Sequence, residues 1–117
     1  MKNMPKQKIF GSFTEFWPFY LGEHLDPFSR ALHYLGTISS NILLVILIWQ
    51  QQWYWLPIVL LIGYAPAWFG HFIIEKNRPA TFQYPIWSLR GDYKMLYLAI
   101  RGKIQDELKR LPDNNSN

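Results

Sequence analysis

Three histidines, His24, His33 and His71, are the residues of this chain whose type and spacing could do chemistry. A lone imidazole on an apolar face is ordinarily a packing residue, so the question is whether the three can meet. His33 lies 18 residues before Gln51, and His71 lies 20 after it. At ~1.5 Å rise per helical residue, those arms are ~27 and ~30 Å long. If the chain doubles back at Gln50-Gln51-Gln52, the two histidines reach the same depth at the far end of the hairpin. His24 precedes Asp26-Pro27, a strong helix-start signal, so it lies in the loop leading into that helix. On one continuous helix it would point about 180° away from His33; outside the helix it is free to fold back. Three imidazoles at one level suit iron, zinc, copper or nickel. Glu75, four residues after His71, shares its helix face. It reads as a fourth ligand, as a partner orienting an imidazole, or as a helix-end charge. Asp26 and Asp92 are weaker candidates, because each also explains itself as an N-cap.

The elements that must position these side chains follow from the charge pattern. No Asp, Glu, Lys or Arg occurs from Ala31 to Ile74, so all the formal charge of this 117-residue chain lies outside that block. A mean hydropathy of −0.08 averages an apolar middle with polar ends. A soluble domain carries charged residues on every helix or strand, which argues against an ordinary water-soluble globule. At roughly 20 apolar residues per membrane pass, the block accommodates two, about 31–49 and 53–74. Trp49, Trp53, Tyr54 and Trp55 flank the glutamines, as interfacial aromatic anchors do. A buried helical hairpin in a soluble oligomer is the competing interpretation. All 12 Lys and Arg residues lie on the terminal sides, so the positive-inside rule puts both ends in the cytoplasm. A bacterial inner membrane is expected, or the endoplasmic reticulum membrane in a eukaryote. Met1 to Lys8 is basic but lacks the apolar run and cleavage site of a signal peptide. With no cysteine, disulfides, thiolate metal sites and cysteine nucleophiles are excluded. No nucleic-acid partner is expected, and an oligomer is possible.

The predicted fold is therefore all-α: an integral membrane hairpin with flanking interfacial or amphipathic helices, about four helices in one domain, 1–117. Ser12-Phe-Thr-Glu15 is a capping box that opens a short helix carrying Phe13, Phe16, Trp17 and Tyr20 on one face, kinked or shortened by Pro18. Lying in the membrane interface is the expected fate of this helix, with packing into a core as the alternative. Helix two runs from about Pro27 to Trp49, and helix three from about Trp53 to Glu75 with a bend at Pro66. Lys76 to Gly91 reads as loop. A basic amphipathic helix spans about 92–111, with Tyr97, Ile100, Ile104, Leu108 and Leu111 at helical spacing. A disordered tail, 113–117, is expected, and the Asn114-Asn115-Ser116 sequon is read as chance. Small residues, Gly36 and Ser40 in helix two and Gly63, Ala67 and Gly70 in helix three, recur at a spacing that permits close helix packing in lipid.

Two stretches carry a resemblance. Tyr20-Leu-Gly-Glu-His-Leu-Asp-Pro-Phe-Ser-Arg-Ala-Leu-His-Tyr-Leu-Gly-Thr37 is similar to the first signature of the Mpo-type membrane family. Gly70-His-Phe-Ile-Ile-Glu-Lys-Asn-Arg-Pro-Ala80, followed by Tyr84-Pro-Ile-Trp-Ser-Leu89 and Asp92, is similar to its second. The family's fungal member is an endoplasmic-reticulum dioxygenase of fatty-acid α-oxidation. The resemblance implies an iron(II)-dependent dioxygenase that shortens a 2-hydroxy fatty acid by one carbon, with dioxygen as co-substrate and without 2-oxoglutarate. It implies His24, His33 and His71 as metal ligands, and Glu75 and Asn77 as catalytic residues, with Pro79 in the same signature. One departure is visible: Ser29-Arg30 stands where the family commonly has Asn-Arg.

A 2-hydroxy carboxylate can chelate a ferrous ion through two oxygens if the protein supplies few ligands, and three imidazoles fit that count. Arg30, Lys76 or Arg78 could hold the substrate carboxylate, and the acyl tail could lie along Gly63 and Ala67. Two other classes remain open from sequence: a zinc-dependent membrane hydrolase with Glu75 as general base, and a non-catalytic membrane interaction or lipid-organising protein.

Overall fold

The computed structural model describes residues 10–111. Met1–Lys8, the Asn114 sequon and the expected 113–117 tail lie outside these described residues. Among the described residues the chain is all helical: α1 (Phe13–Gly22), α2 (Pro27–Trp49), α3 (Leu56–Phe69), α4 (Pro85–Ile100) and α5 (Ile104–Lys109), with no strand. A 3₁₀ turn, Trp53–Trp55, leads into α3, and a wider π-type turn, Gly70–Glu75, continues it.

Local chemistry sets these boundaries. The Ser12 side chain accepts from the Glu15 amide at the start of α1, and Glu15 returns the bond to Gly11. Pro18 does not end that helix, which runs four residues further to Gly22. Asp26 caps α2, its Oδ1 accepting from the amides of Phe28 (2.8 Å) and Ser29 (3.3 Å), with Pro27 at the first helical position. Two helical segments, Pro27–Trp49 and Trp53–Glu75, are long and apolar enough to cross a membrane. Only 22 % and 17 % of their apolar windows are buried, where the core helix of a soluble protein would be mostly buried. They pack on each other closely: a Cβ placed on Gly36 would come 2.6 Å from the Gly63 carbonyl oxygen, so only hydrogen fits there.

The packed core lies beside this hairpin rather than within it. Phe16, Trp17, Tyr20 and Leu21 of α1 are buried against Met95 of α4 and Ala80 of the intervening loop. Of the two fates open to α1, core packing is the one adopted. The C-terminal third corrects the sequence reading in two ways. Helical structure starts at Pro85, not at Asp92, because a proline at the first helical position donates no bond the helix needs. The expected single helix over 92–111 is instead two, because the chain breaks at Arg101-Gly102-Lys103, with Gly102 at φ +71°, a left-handed conformation that glycine adopts without steric cost. Among the described residues the five helices include four substantial ones, as expected, with the six-residue α5 as the addition. The break folds α5 back, so that Ile104, Leu108 and Leu111 reach the core while Tyr97 and Ile100 stay exposed. Trp17 Nε1 donates to Glu107 Oε1 (2.9 Å), fastening α5 to α1.

Candidate metal centre

The three histidines come from three different elements. His24 follows the end of α1, where the last carbonyls lack the next helical N–H. The Tyr20 carbonyl accepts from the His24 ring Nδ1 at 2.6 Å. His33 is the seventh residue of α2, its Nδ1 directed at the Ser29 carbonyl at 3.0 Å. His71 lies on the π-type turn, which closes with Lys76 in a left-handed conformation (φ 58°). That reversal lets the Asn77 amide bond back to the His71 carbonyl (2.9 Å) and brings the Asn77 side-chain oxygen 2.7 Å from His71 Nδ1. π-type turns inside longer helices recur at functional sites.

These contacts fix the tautomers. The partners of His24 and His33 Nδ1 are carbonyl oxygens, which only accept, so each Nδ1 carries the proton. Asn77 Nδ2 donates to the Glu23 carbonyl (3.1 Å), leaving Asn77 Oδ1 to accept from His71 Nδ1–H. Every Nε2 is then an unprotonated lone pair, and the three converge. His24 Nε2 lies 3.0 Å from His33 Nε2, which lies 3.2 Å from His71 Nε2. The rings meet edge to face, with centroids 4.3 to 4.9 Å apart. All three are buried, at 1 %, 4 % and 3 % exposure. Burial, then the two neighbouring imidazoles, holds His24 well below its usual pKa, which keeps it neutral and its lone pair free.

Three facing lone pairs with no proton between them repel unless a cation sits among them, so the donor set fits a metal ion. Distances agree: two imidazole nitrogens bound at ~2.1 Å to one ion are about 3.0 Å apart at a right angle and about 3.4 Å apart at the tetrahedral angle. Carbonyl and amide partners on each Nδ1 are the arrangement that orients metal-bound imidazoles.

The remaining sequence candidates fall in other places. Glu75 Oε2 accepts from the Asp26 amide (2.7 Å), tying the end of the π-type turn to the start of α2; it does not line the histidine cavity. Arg30 is buried, with Nη1 donating to the carbonyls of His24 and Leu25 at 2.9 Å each, and so clamps the loop that carries His24. Arg78 is exposed, its guanidinium over the Phe82 ring; Lys76 is exposed too. Asp26 is the N-cap that the sequence indicated. Asp92 is not: it lies within α4, accepting a hydrogen bond from the Tyr20 hydroxyl.

The Tyr20–Asp92 pair is the feature that sequence reasoning missed. The Tyr20 ring packs against His24 with centroids 4.3 Å apart. Burial raises the Asp92 carboxyl to about 7, against the opposing pull of the Tyr20 hydrogen bond. Burial and then the Asp92 charge raise the Tyr20 hydroxyl in turn. A cavity of about 10 Å³, the size of one water, is lined by the three histidines with Tyr20, Asp92, Trp68 and Ser88 among others.

A family model described as 2-hydroxy-palmitic acid dioxygenase Mpo1-like matches residues 10–104. No curated protein and no solved structure matches the chain.

Proposed function

Because the chain belongs to the Mpo1-like family, we propose that it is a membrane-embedded iron(II)-dependent dioxygenase that converts a 2-hydroxy fatty acid to the acid one carbon shorter. The observation that carries this reading is the convergence of three lone-pair Nε2 atoms, each imidazole fixed from behind through Nδ1. His24, His33 and His71 would hold the iron, which supplies the redox chemistry with dioxygen that no amino-acid side chain can provide.

The electron balance favours a redox metal over zinc. In the proposed reaction the carbinol carbon becomes the new carboxyl and the old carboxyl leaves as carbon dioxide, with one water formed. That releases four electrons, which one dioxygen molecule accepts, so no 2-oxoglutarate or other reductant is required. Zinc has no redox chemistry, and Glu75, the base a hydrolase would use, is held away by the Asp26 amide.

The chain's own residues position and enclose. Asn77 fixes the His71 ring and couples it to the Glu23 carbonyl. Arg30 holds the His24 loop in place through two backbone carbonyls. The Tyr20 ring covers His24, and the tightness of the cavity excludes bulk water. Glu75 acts here as a positioning residue, joining the His71 turn to α2. The two apolar helical segments cross the membrane with both termini cytoplasmic, which places the site at the cytoplasmic edge of the bilayer.

The test is anaerobic iron loading of the purified chain, followed by dioxygen and 2-hydroxy-palmitic acid. One iron per chain and formation of the acid one carbon shorter are expected. Zinc retained in protein that turns over, or iron-loaded protein that leaves the substrate intact, overturns the reading.

A further inference from the structure

A second, larger cavity of about 220 Å³ lies between α2, α3 and α4. It shares the lining residues Tyr64 and Asp92 with the small histidine cavity, so the two cavities are neighbours on either side of these side chains. On α2 it extends to Leu44, 11 residues beyond His33, and on α3 to Val59, 12 residues from His71. At ~1.5 Å per residue the two walls reach ~16 to ~18 Å from the histidines. Half the hydrocarbon thickness of a bilayer is about 15 Å. The cavity thus has the depth and direction of one acyl chain in one leaflet, with the histidines at its headgroup end.

Its walls and mouth suit the same occupant. Ser40 Oγ and Asn41 Nδ2 both donate to the Thr37 carbonyl, and the Tyr93 hydroxyl donates to Asn41 Oδ1, so these polar groups are already paired. Leu60, Leu89 and Tyr93, each 46 % exposed or more, put the opening on the outer surface of the hairpin. At the histidine end the situation is reversed. Ser88 and Trp68 line the small cavity, and their Oγ and Nε1 are buried without a hydrogen-bond partner among the described residues. A buried donor left unpaired costs free energy that an incoming acceptor recovers.

We propose that an acyl substrate lies with its tail in the larger cavity, running between α2, α3 and α4 toward Leu44 and Val59, and that the Tyr64 and Asp92 side chains shared by the two cavities move aside to admit its carboxylate to the Ser88 hydroxyl and the Trp68 indole N–H beside the histidines. These two donors then do what the sequence assigned to Arg30 or Arg78. Only the chemistry at the head rests on the oxygenase reading; the tail site stands on the cavity. The substrate enters sideways from the leaflet, past Leu60 and Leu89, without leaving the depth it occupies in the membrane.

Two independent measurements test this. In turnover, Leu44→Phe raises KM for 2-hydroxy-palmitic acid about tenfold, on the scale of one or two lost methylene contacts, and leaves 2-hydroxyoctanoic acid unaffected. Ser88→Ala raises KM about tenfold for both acids, the scale of one hydrogen bond to a carboxylate. Leu61→Phe, on an exposed position outside the cavity, is the control and changes neither. The second measurement does not need catalysis. Palmitic acid with a diazirine at its methyl end is irradiated with the full chain in lipid nanodiscs, and the labelled peptides are mapped. Label concentrated on residues 41–44 and 59–60, and displaced by 2-hydroxy-palmitic acid, is expected. Label spread evenly over the exposed hairpin surface, or insensitive to the competitor, overturns the proposal. Specific label in a protein that shows no turnover supports the acyl site while removing the oxygenase reading.

Discussion

At the Gln50–Gln52 end of the α2–α3 hairpin, Trp49 and Tyr54 are 85 % and 93 % exposed; at the opposite end, His24, Ser29, Arg30, His33 and His71 are each 5 % exposed or less. One end therefore offers aromatic rings to its surroundings, and the other removes polar groups from them. Burying polar atoms costs free energy unless each is paired. At the histidine end the backbone does most of the pairing: carbonyls of Tyr20, Glu23, His24, Leu25 and Ser29 accept from the imidazoles, Asn77 and Arg30. The three Nε2 atoms are left facing one another. A cluster built only for stability would not leave three lone pairs in mutual contact. The difference between the ends is the difference between an anchor and a proposed binding site, and graded substitutions can break it.

The largest effect is expected at the histidines. His33→Ala or His71→Ala removes one of three donors and is expected to abolish stoichiometric iron binding and turnover together, as read by metal analysis and product formation. Gln51→Ala, at the other end, changes neither. Iron and activity surviving in both histidine variants would dissolve the contrast between the ends.

Asn77 comes next, because it would act on the proposed iron site through His71. Asn77→Ala removes both the acceptor that fixes the ring and the donor to the Glu23 carbonyl. Iron affinity is expected to fall about 10–100-fold, the usual scale for such supporting partners. Asn77→Asp keeps an acceptor for His71 Nδ1 but loses the donor, so its affinity should fall between those of the wild type and the alanine variant. Equal losses in both variants would show that the Glu23 link, rather than the orientation of the ring, matters.

How much of this was legible in the sequence depends on whether the governing distance was local. Helix rise is nearly constant, so two arms of similar length were enough to place His33 and His71 at one depth. The Asp26-Pro27 signal was enough to put His24 outside α2. The start of α4 at Pro85 was also legible, since proline favours a first helical position, but Pro79 and Pro85 together were read as loop. Glu75 and Arg30 could not be read in this way. Their partners are backbone groups whose positions depend on the π-type turn and on the His24 loop, neither of which has a periodic signature. The Tyr20–Asp92 bond spans 72 residues, and the unpaired donors of Ser88 and Trp68 become visible only once a cavity exists around them.

Asp92 provides a smaller effect, confined to a pH window. Burial raises its folded pKa to about 7 from an ordinary 3.8, so the folded chain holds a proton there that the unfolded chain releases. Its contribution to stability is complete below about 4 and is lost as pH rises toward 7, with a slope of at most about 1.4 kcal/mol per pH unit. Glu23, raised to about 7 by burial and then by Glu75, acts in the same direction. The buried His24, held below its usual pKa, acts in the opposite direction in both proteins, so the difference between them is what isolates Asp92. Between pH 4 and 7 the thermal midpoint of the metal-free Asp92→Asn chain should rise relative to that of the wild type, and an unchanged difference would mean that Asp92 is already ionised in the fold. The Gln50–Gln52 turn has no carboxylate or imidazole and makes no comparable contribution.

The smallest effect is expected where exposure is greatest. Tyr54 belongs to the 3₁₀ turn before α3, at 93 % exposure. Replacing such a residue ordinarily changes stability by no more than about 0.5 kcal/mol. Tyr54→Ser should leave iron content, KM and turnover at wild-type values, because the histidines lie ~27 to ~30 Å away along the helices. If the ring serves as an interfacial anchor, its removal weakens only the hairpin's partition into lipid, which vesicle flotation at graded lipid concentration measures. Loss of iron in Tyr54→Ser would mean that the turn sets the register of α2 against α3, and with it the spacing of His33 and His71. The two ends would then be one mechanical unit, and the close contact at Gly36 and Gly63 would be where they are coupled.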